Sequence, residues 1–279
     1  MSNRYSFEFF PPKTEVGRAK LKDTRSQLAA LNPEFFSVTY GAGGSTRDNT
    51  RDIVLETKKA GLSVAPHLSF GGDEESEILT LLNDYKAAGI DRIVALRGDI
   101  PSGMGATRQV YAKELVEFIR KHTGDHFQLE VAAYPETHPD AKSHQADIQF
   151  LKAKLDAGAN SAITQYFFNA DAYFYFLEDC EKAGIDKPIY PGIMPITNFA
   201  NLARFSRNCG AEIPRWLAQK LDGYGDDQAS IIEFGAEFVS ELCHILMEGG
   251  APGIHFYSMN QVEPIKRIAE AVMSSHPAK

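Results

Sequence analysis

Eight times along this chain a short apolar run gives way to a helix-like stretch, and nearly every run ends in a polar or ionisable residue. Tyr5 to Phe10 is aromatic-rich and stops at Pro11-Pro12. Further strand-like runs follow at Phe35 to Tyr40, Ser63 to Leu68, Asp91 to Leu96, Phe127 to Tyr134, Ser161 to Gln165, Pro188 to Ile193 and Gly253 to Tyr257. Between them lie amphipathic or charged stretches, several closed by glycine, as at Gly61, Gly89, Gly158 and Gly184. Strict alternation implies parallel pairing with right-handed crossovers. Eight units in 279 residues, with no linker or composition shift, is the arithmetic of a single closed (β/α)8 barrel of the TIM type, α/β in class. A doubly wound open sheet gathers its ligand residues at one crevice. Here Glu8, Thr39, His67, Asp99, Tyr134 and Gln165 follow different strands all around the ring, which suits the C-terminal mouth of a barrel.

Two strand ends carry the most chemistry. Ile93-Val94-Ala95-Leu96 reads as a strand buried on both faces, and it runs at once into Arg97-Gly98-Asp99. A cation and a carboxylate at such a place are either a solvated ion pair or ligand-binding groups, with Asp99 beside a cofactor ring and Arg97 holding it. Glu8 sits among Phe7, Phe9 and Phe10. Period-two alternation puts it on one face with Ser6 and Phe10. It is either a strand-end carboxylate facing water or a general acid whose pKa is raised by apolar neighbours. Tyr166-Phe167-Phe168, after Gln165, is either core packing or a platform for a flat heterocycle.

The chain is 43% hydrophobic and 24% charged, with a formal net charge of −8, which argues against a nucleic-acid surface. Cys180, Cys209 and Cys243 form neither a CxxC metal site nor a disulfide framework. No dinucleotide fingerprint, Walker loop, HExxH or GxSxG is present, and the histidines form no ligand-spaced cluster, so no metal is expected. No apolar run reaches the length of a membrane span, and a cytoplasmic protein without membrane attachment is expected.

Taken together, Ser6-Phe7-Glu8-Phe9-Phe10-Pro11-Pro12, Val38-Thr39-Tyr40-Gly41-Ala42, Ala65-Pro66-His67-Leu68, Ala95-Leu96-Arg97-Gly98-Asp99, Ala132-Ala133-Tyr134-Pro135-Glu136, Ala162-Ile163-Thr164-Gln165-Tyr166-Phe167-Phe168, Pro191-Gly192-Ile193-Met194-Pro195 and His255-Phe256-Tyr257 closely resemble the bacterial methylenetetrahydrofolate reductases. The resemblance runs in order from Tyr5 to Glu263. It implies a barrel with non-covalent FAD at the mouth, reduced by NADH or NADPH, with NADH favoured. Hydride then passes to 5,10-methylenetetrahydrofolate at the same flavin face, giving 5-methyltetrahydrofolate for methionine synthesis. It implies that Glu8 is the general acid near the folate N10 and that Asp99 lies near flavin and pterin, favouring a cationic iminium. Gln165 resembles the residue contacting pterin and nicotinamide, and Thr39 a nicotinamide contact. Tyr40, Ala42, His67, Arg97, Gly98, Asp99, Tyr111, Ala112, Tyr134, His138, Ala141, Asp147 and Lys154 fall on FAD-contacting positions. Phe205 resembles an aromatic near the substrates, and Gln261 stands at a folate position where an arginine is expected. Phe150 and Ala153 stand where polar or basic residues are expected. The resemblance further implies a homo-oligomer and one catalytic domain over 1–279, without a regulatory domain.

Two other readings compete. A flavin-free pterin barrel transferring a one-carbon group would share the Asp and Gln contacts but would be colourless and inert toward NADH. A non-enzymatic binding barrel would tolerate Glu8→Gln without loss.

Overall fold

Short parallel strands, each followed by a return helix, organise the chain. The computed structural model describes residues 3–40, 44–70, 74–97 and 111–278. The strands are β1 (Arg4–Phe9), β2 (Phe35–Val38), β3 (Val64–Leu68), β4 (Arg92–Ala95), β5 (Gln128–Ala133), β6 (Ser161–Thr164), β7 (Ile189–Tyr190), β8 (Gly192–Ile193) and β9 (Gly253–Tyr257). The helices are α1 (Glu15–Ala29), α2 (Gly44–Lys59), α3 (Glu75–Ala87), α4 (Ala112–Thr123), α5 (His144–Asp156), α6 (Ala170–Lys182), α7 (Phe199–Cys209), α8 (Arg215–Asp222), α9 (Gln228–Glu248) and α10 (Ile265–Ser275). All pairings are parallel, in the order β7-β6-β5-β4-β3-β2-β1-β9-β8.

The expected run Pro188 to Ile193 appears as two short strands, so nine segments stand where eight were expected. Pro191 is the cause, because it has no N–H to continue a ladder. β7 pairs with β6 and β8 with β9, so the two halves bring the ends of the sheet together and nearly close the barrel. Gly192 N donates to Thr164 Oγ1 at 2.9 Å, and the Tyr257 hydroxyl donates to Thr164 O at 2.7 Å. A Cβ on Gly192 would lie 2.1 Å from Thr164 O and 2.6 Å from the Tyr257 ring, so the seam admits no side chain there.

β1 shows how alternation divides the interior. Tyr5, Phe7 and Phe9 face the helix layer; Phe7 stacks on Phe256 at 5.3 Å and Phe9 on Phe36 at 5.2 Å. Arg4, Ser6 and Glu8 point into the barrel. At its base Arg4 reaches across to β5 and bonds both oxygens of Glu130 at 2.9 and 3.2 Å. Arg92 and Ser161 complete the shell of that fully buried carboxylate. Two guanidinium charges and the Ser161 bond hold Glu130 below the ordinary carboxylate range, although burial alone would raise it. Phe35, Ala65, Val94 and Ile163 form the apolar layer between this plug and the mouth. A polar base and an apolar waist leave the opposite, C-terminal end as the open face.

Candidate active site at the mouth of the barrel

Glu8 stands at the centre of the mouth. Its Oε2 lies 3.3 Å from His67 Nε2 on β3 and 3.5 Å from His255 Nε2 on β9. These are ion-pair distances, but the angles fall short of aligned hydrogen bonds, and neither Nε2 has another polar partner among the described residues. Register explains the meeting. Ser6 pairs with His255 and Glu8 with Tyr257 across the β1–β9 ladder, so one face collects all four side chains. Glu8 is 18% exposed, whereas His255 is 1% exposed.

The expectation of a raised Glu8 pKa is corrected by this geometry. Burial alone would raise it, but the charge of His67 and hydrogen-bonding interactions with both imidazoles outweigh burial and hold it at about 2. Burial, with Arg4 and His67 adding to it, pushes His255 below the ordinary histidine range. Glu8 is therefore an ionised carboxylate facing two imidazole nitrogens.

The end of β1 is fixed from β9. Ser258 Oγ donates to Glu8 O at 2.5 Å. Asn260 grips the Phe10 backbone twice, accepting from Phe10 N at 3.0 Å and donating to Phe10 O at 2.7 Å. Met259 and Asn260 both take φ of 54°, a left-handed pair that turns the chain back toward β1.

A second group forms on the β5 side. Asp147 accepts from His138 N at 2.8 Å, and the His138 ring meets Tyr134 edge-on at 4.5 Å. Ala141 N donates to His138 O at 2.9 Å. Lys154 donates to Ala132 O at 2.5 Å, and burial lowers its amine to about 8, with Asp147 opposing the shift. Arg97 pairs with Asp140 at 2.8 Å. Tyr134, Glu136, Gln165, Tyr166 and Cys209 line one small cavity. Burial raises Glu136 to about 7, although its carboxylate accepts from Glu212 N at 2.8 Å. The donor set fits an anionic, ring-bearing cofactor such as FAD. A half-buried amine has no carboxylate within ion-pair distance among the described residues, a half-exposed guanidinium stands nearby, and the His67 nitrogen lacks a full partner.

The structure thus unites Glu8 with His67, and Tyr134 with His138, Ala141, Asp147 and Lys154. Thr39 donates its N–H to Phe9 O at 2.9 Å and, with Tyr40, ends β2 beside them. Tyr111 and Ala112 open α4, and Tyr111 stacks on Phe150 of α5 at 6.4 Å. Phe205 is 38% exposed on α7. Gln261 sits in the turn after β9, its N–H bonded to Ser258 O at 3.0 Å. Ala42, Gly98 and Asp99 lie outside the described residues. Sequence reasoning missed Ser6, His255 and Asn260 as site residues. His255 does share a period-two face with Tyr257, but nothing local shows that this face meets Glu8, which lies more than two hundred positions away.

The methylenetetrahydrofolate reductase family model matches residues 1–273. The chain is 44% identical over 259 residues to 5,10-methylenetetrahydrofolate reductase of Escherichia coli (strain K12), covering 92% of this chain and 86% of that one. It is 41% identical over 264 residues to the enzyme of the same name from Buchnera aphidicola subsp. Schizaphis graminum, covering 94% and 89%. Methylenetetrahydrofolate reductase (NADH) 1 of Arabidopsis thaliana is 36% identical over 271 residues, which span 92% of this chain and 46% of the plant protein. Among solved structures, a Clostridium thermocellum protein described as binding two copies of 5-methyl-5,6,7,8-tetrahydrofolic acid superposes with a TM-score of 0.69. It covers 99% of this chain and 96% of its own at 19% identity, a likeness of fold. No helix among the described residues is long and apolar enough to cross a membrane.

Proposed function

Because this chain belongs to the methylenetetrahydrofolate reductase family, we propose that it reduces 5,10-methylenetetrahydrofolate to 5-methyltetrahydrofolate with bound FAD, taking its electrons from NADH in preference to NADPH. When bound, FAD would supply the hydride-carrying chemistry that links the nicotinamide to the folate. The product then supplies methyl groups for methionine synthesis.

The observation that carries this reading is Glu8 between two imidazoles at an open mouth. The methylene bridge has to open before its carbon can accept hydride. The bond from that carbon to N10 breaks, N10 takes a proton, and the carbon is left as an iminium on N5. Glu8 is the group to pass that proton, with His67 behind it to restore it. Positioned acid catalysis of this kind contributes about 10²- to 10⁴-fold. Lys154, Arg97, His138 and the Tyr134 edge are the groups to hold the dinucleotide, with Thr39, Tyr40, Tyr111, Ala112, Ala141 and Asp147 around it. Asp99, Gly98 and Ala42 join that set by resemblance. Gln165, Phe205 and Gln261 are assigned to the folate, and Gln165 also to the nicotinamide.

The deciding experiment is the visible spectrum of the purified protein, kept anaerobic, with NADH and then the folate added. A yellow protein bleached by NADH and recoloured by 5,10-methylenetetrahydrofolate supports the full reading. A colourless preparation that stays inert after added FAD sinks it. Glu8→Gln is expected to keep the NADH step and slow the folate step about 10²- to 10⁴-fold; equal loss in both would remove Glu8 from its role.

A further inference from the structure

One layer below the Glu8 carboxylate, His255 is sealed inside the barrel. Its ring stacks on Phe35 at 6.1 Å and meets the edge of Tyr257 at 5.3 Å, so it has no room to turn. Nδ1 is 2.7 Å from Ser6 Oγ, and Nε2 faces Glu8 Oε2 at 3.5 Å. A neutral imidazole has one N–H and one lone pair, and the partner of one nitrogen dictates the state of the other. If Nδ1 carried the hydrogen, the Nε2 lone pair would point at an ionised carboxylate. If the Ser6 hydroxyl donates to Nδ1, the hydrogen sits on Nε2, on the side of the ring that faces Glu8 Oε2 at 3.5 Å. Only the second arrangement gives each buried polar atom a complementary neighbour.

We propose that Ser6 and His255 are a positioning pair: Ser6 fixes the tautomer of His255 that carries hydrogen on Nε2, and that hydrogen holds Glu8 in place while His67 carries the proton traffic. The charged and titratable groups around His255 agree with a neutral ring. Arg4 lies on its own face of the barrel, His67 and Glu8 stand above it, and Tyr257 beside it has a hydroxyl that burial pushes well above its ordinary range. β2 contributes Phe35 and Ser37, which carry no charge. His67 is 8% exposed and His255 1%, so His67 is the imidazole nearer to water. In the proton step a proton delivered through His67 crosses to the ionised Glu8 carboxylate, and the Glu8 O–H bond so formed breaks as N10–H forms, which returns Glu8 to its carboxylate. His255 neither gains nor loses a proton.

The role given to Glu8 rests on the reductase reading; the tautomer does not. The test is nitrogen NMR of the FAD-loaded protein with labelled histidine, the His255 signals being identified by their loss in His255→Asn. The expected wild-type result is a bare Nδ1 and a hydrogen-bearing Nε2. Ser6→Ala is expected to show both tautomers and to slow the folate step about three- to tenfold, the rate equivalent of one neutral hydrogen bond, while NADH oxidation holds. Ser6→Thr, which keeps the hydroxyl, is expected to restore the single tautomer. A hydrogen on Nδ1 in the wild type overturns the proposal, and that spectrum decides even if Ser6→Ala fails to fold. A single unchanged tautomer in a folded Ser6→Ala also overturns it. The expected tautomers in a protein without folate activity would uphold the pair and sink the reductase reading.

Discussion

Replacing Glu130 by glutamine tests the plug at the base of the barrel. The carboxylate is fully buried, and glutamine keeps its volume, so no cavity term enters. Removing one member of a buried ion pair costs about 3–5 kcal/mol, because the partner is left charged and dry. Two guanidiniums face Glu130, but only one is stranded by its loss. Arg92 keeps Glu34, which is 44% exposed, whereas Arg4 has no other carboxylate partner among the described residues. Arg4 is already spread over the Tyr190 ring, 3.2 Å from its centroid, in both forms of the protein, so that contact offsets nothing. One stranded charge places the loss at the low end, about 3 kcal/mol. In a chain of 279 residues that is a fall in melting temperature of about 5 °C. Urea unfolding at pH 7 would measure it as a lower midpoint at unchanged slope. Added salt should leave the difference intact, since buried charges are poorly screened. The Glu130 pKa is depressed, so its contribution is present above the ordinary carboxylate range and fades as pH falls through the folded value. Wild type and variant should therefore converge in acid. Arg4→Met added to Glu130→Gln should recover stability. A loss below about 1 kcal/mol, or one erased by salt, would show a hydrated pair and refute the reasoning.

Other perturbations follow from the same contacts. Gly192→Ala puts a Cβ 2.1 Å from Thr164 O, a clash with backbone that cannot swing aside. It should cost about 1–3 kcal/mol or more and open the seam, read as faster amide exchange in β6 and β9. Asn260→Ala removes two bonds to the Phe10 backbone. Phe10 is half-exposed, so the stability loss should stay near 1 kcal/mol, while the folate step slows more than the NADH step in single-turnover assays. Glu136 has a folded pKa raised to about 7, so its contribution is fully present below its unfolded value and is lost as pH rises through 7. Glu136→Gln should therefore match wild type in urea unfolding at pH 4 and exceed it at pH 8 by about 1 kcal/mol after discounting for solvent screening; equal midpoints at both would place the carboxyl in water.

Local pattern reached far in this protein. Alternation of apolar runs with amphipathic stretches determined a parallel barrel, because a strand buried on both faces and a helix buried on one have different periods. It also placed Ser6 and Glu8 on one face of β1, and it marked the strand ends as the polar rim. Pro191 carried in the sequence the reason for a broken seventh strand, yet the break shows only when each half is seen pairing with a different neighbour. The Glu8 pKa was the clearest reversal. Its sequence neighbours are phenylalanines, which argue for a raised value, but Phe7 and Phe9 turn outward and the groups that face it are His67 and His255. Arg4, at the start of β1, and Glu130, inside β5, lie far apart in sequence and meet only because the nearly closed sheet lays them across the same lumen. Electrostatic coupling acts through space over a few ångströms, whereas sequence reports neighbours along the chain. Which charges meet, and therefore where a proton rests, was decided only when closure of the barrel set the register of β1 against β9 and brought His67 of β3 across to meet them.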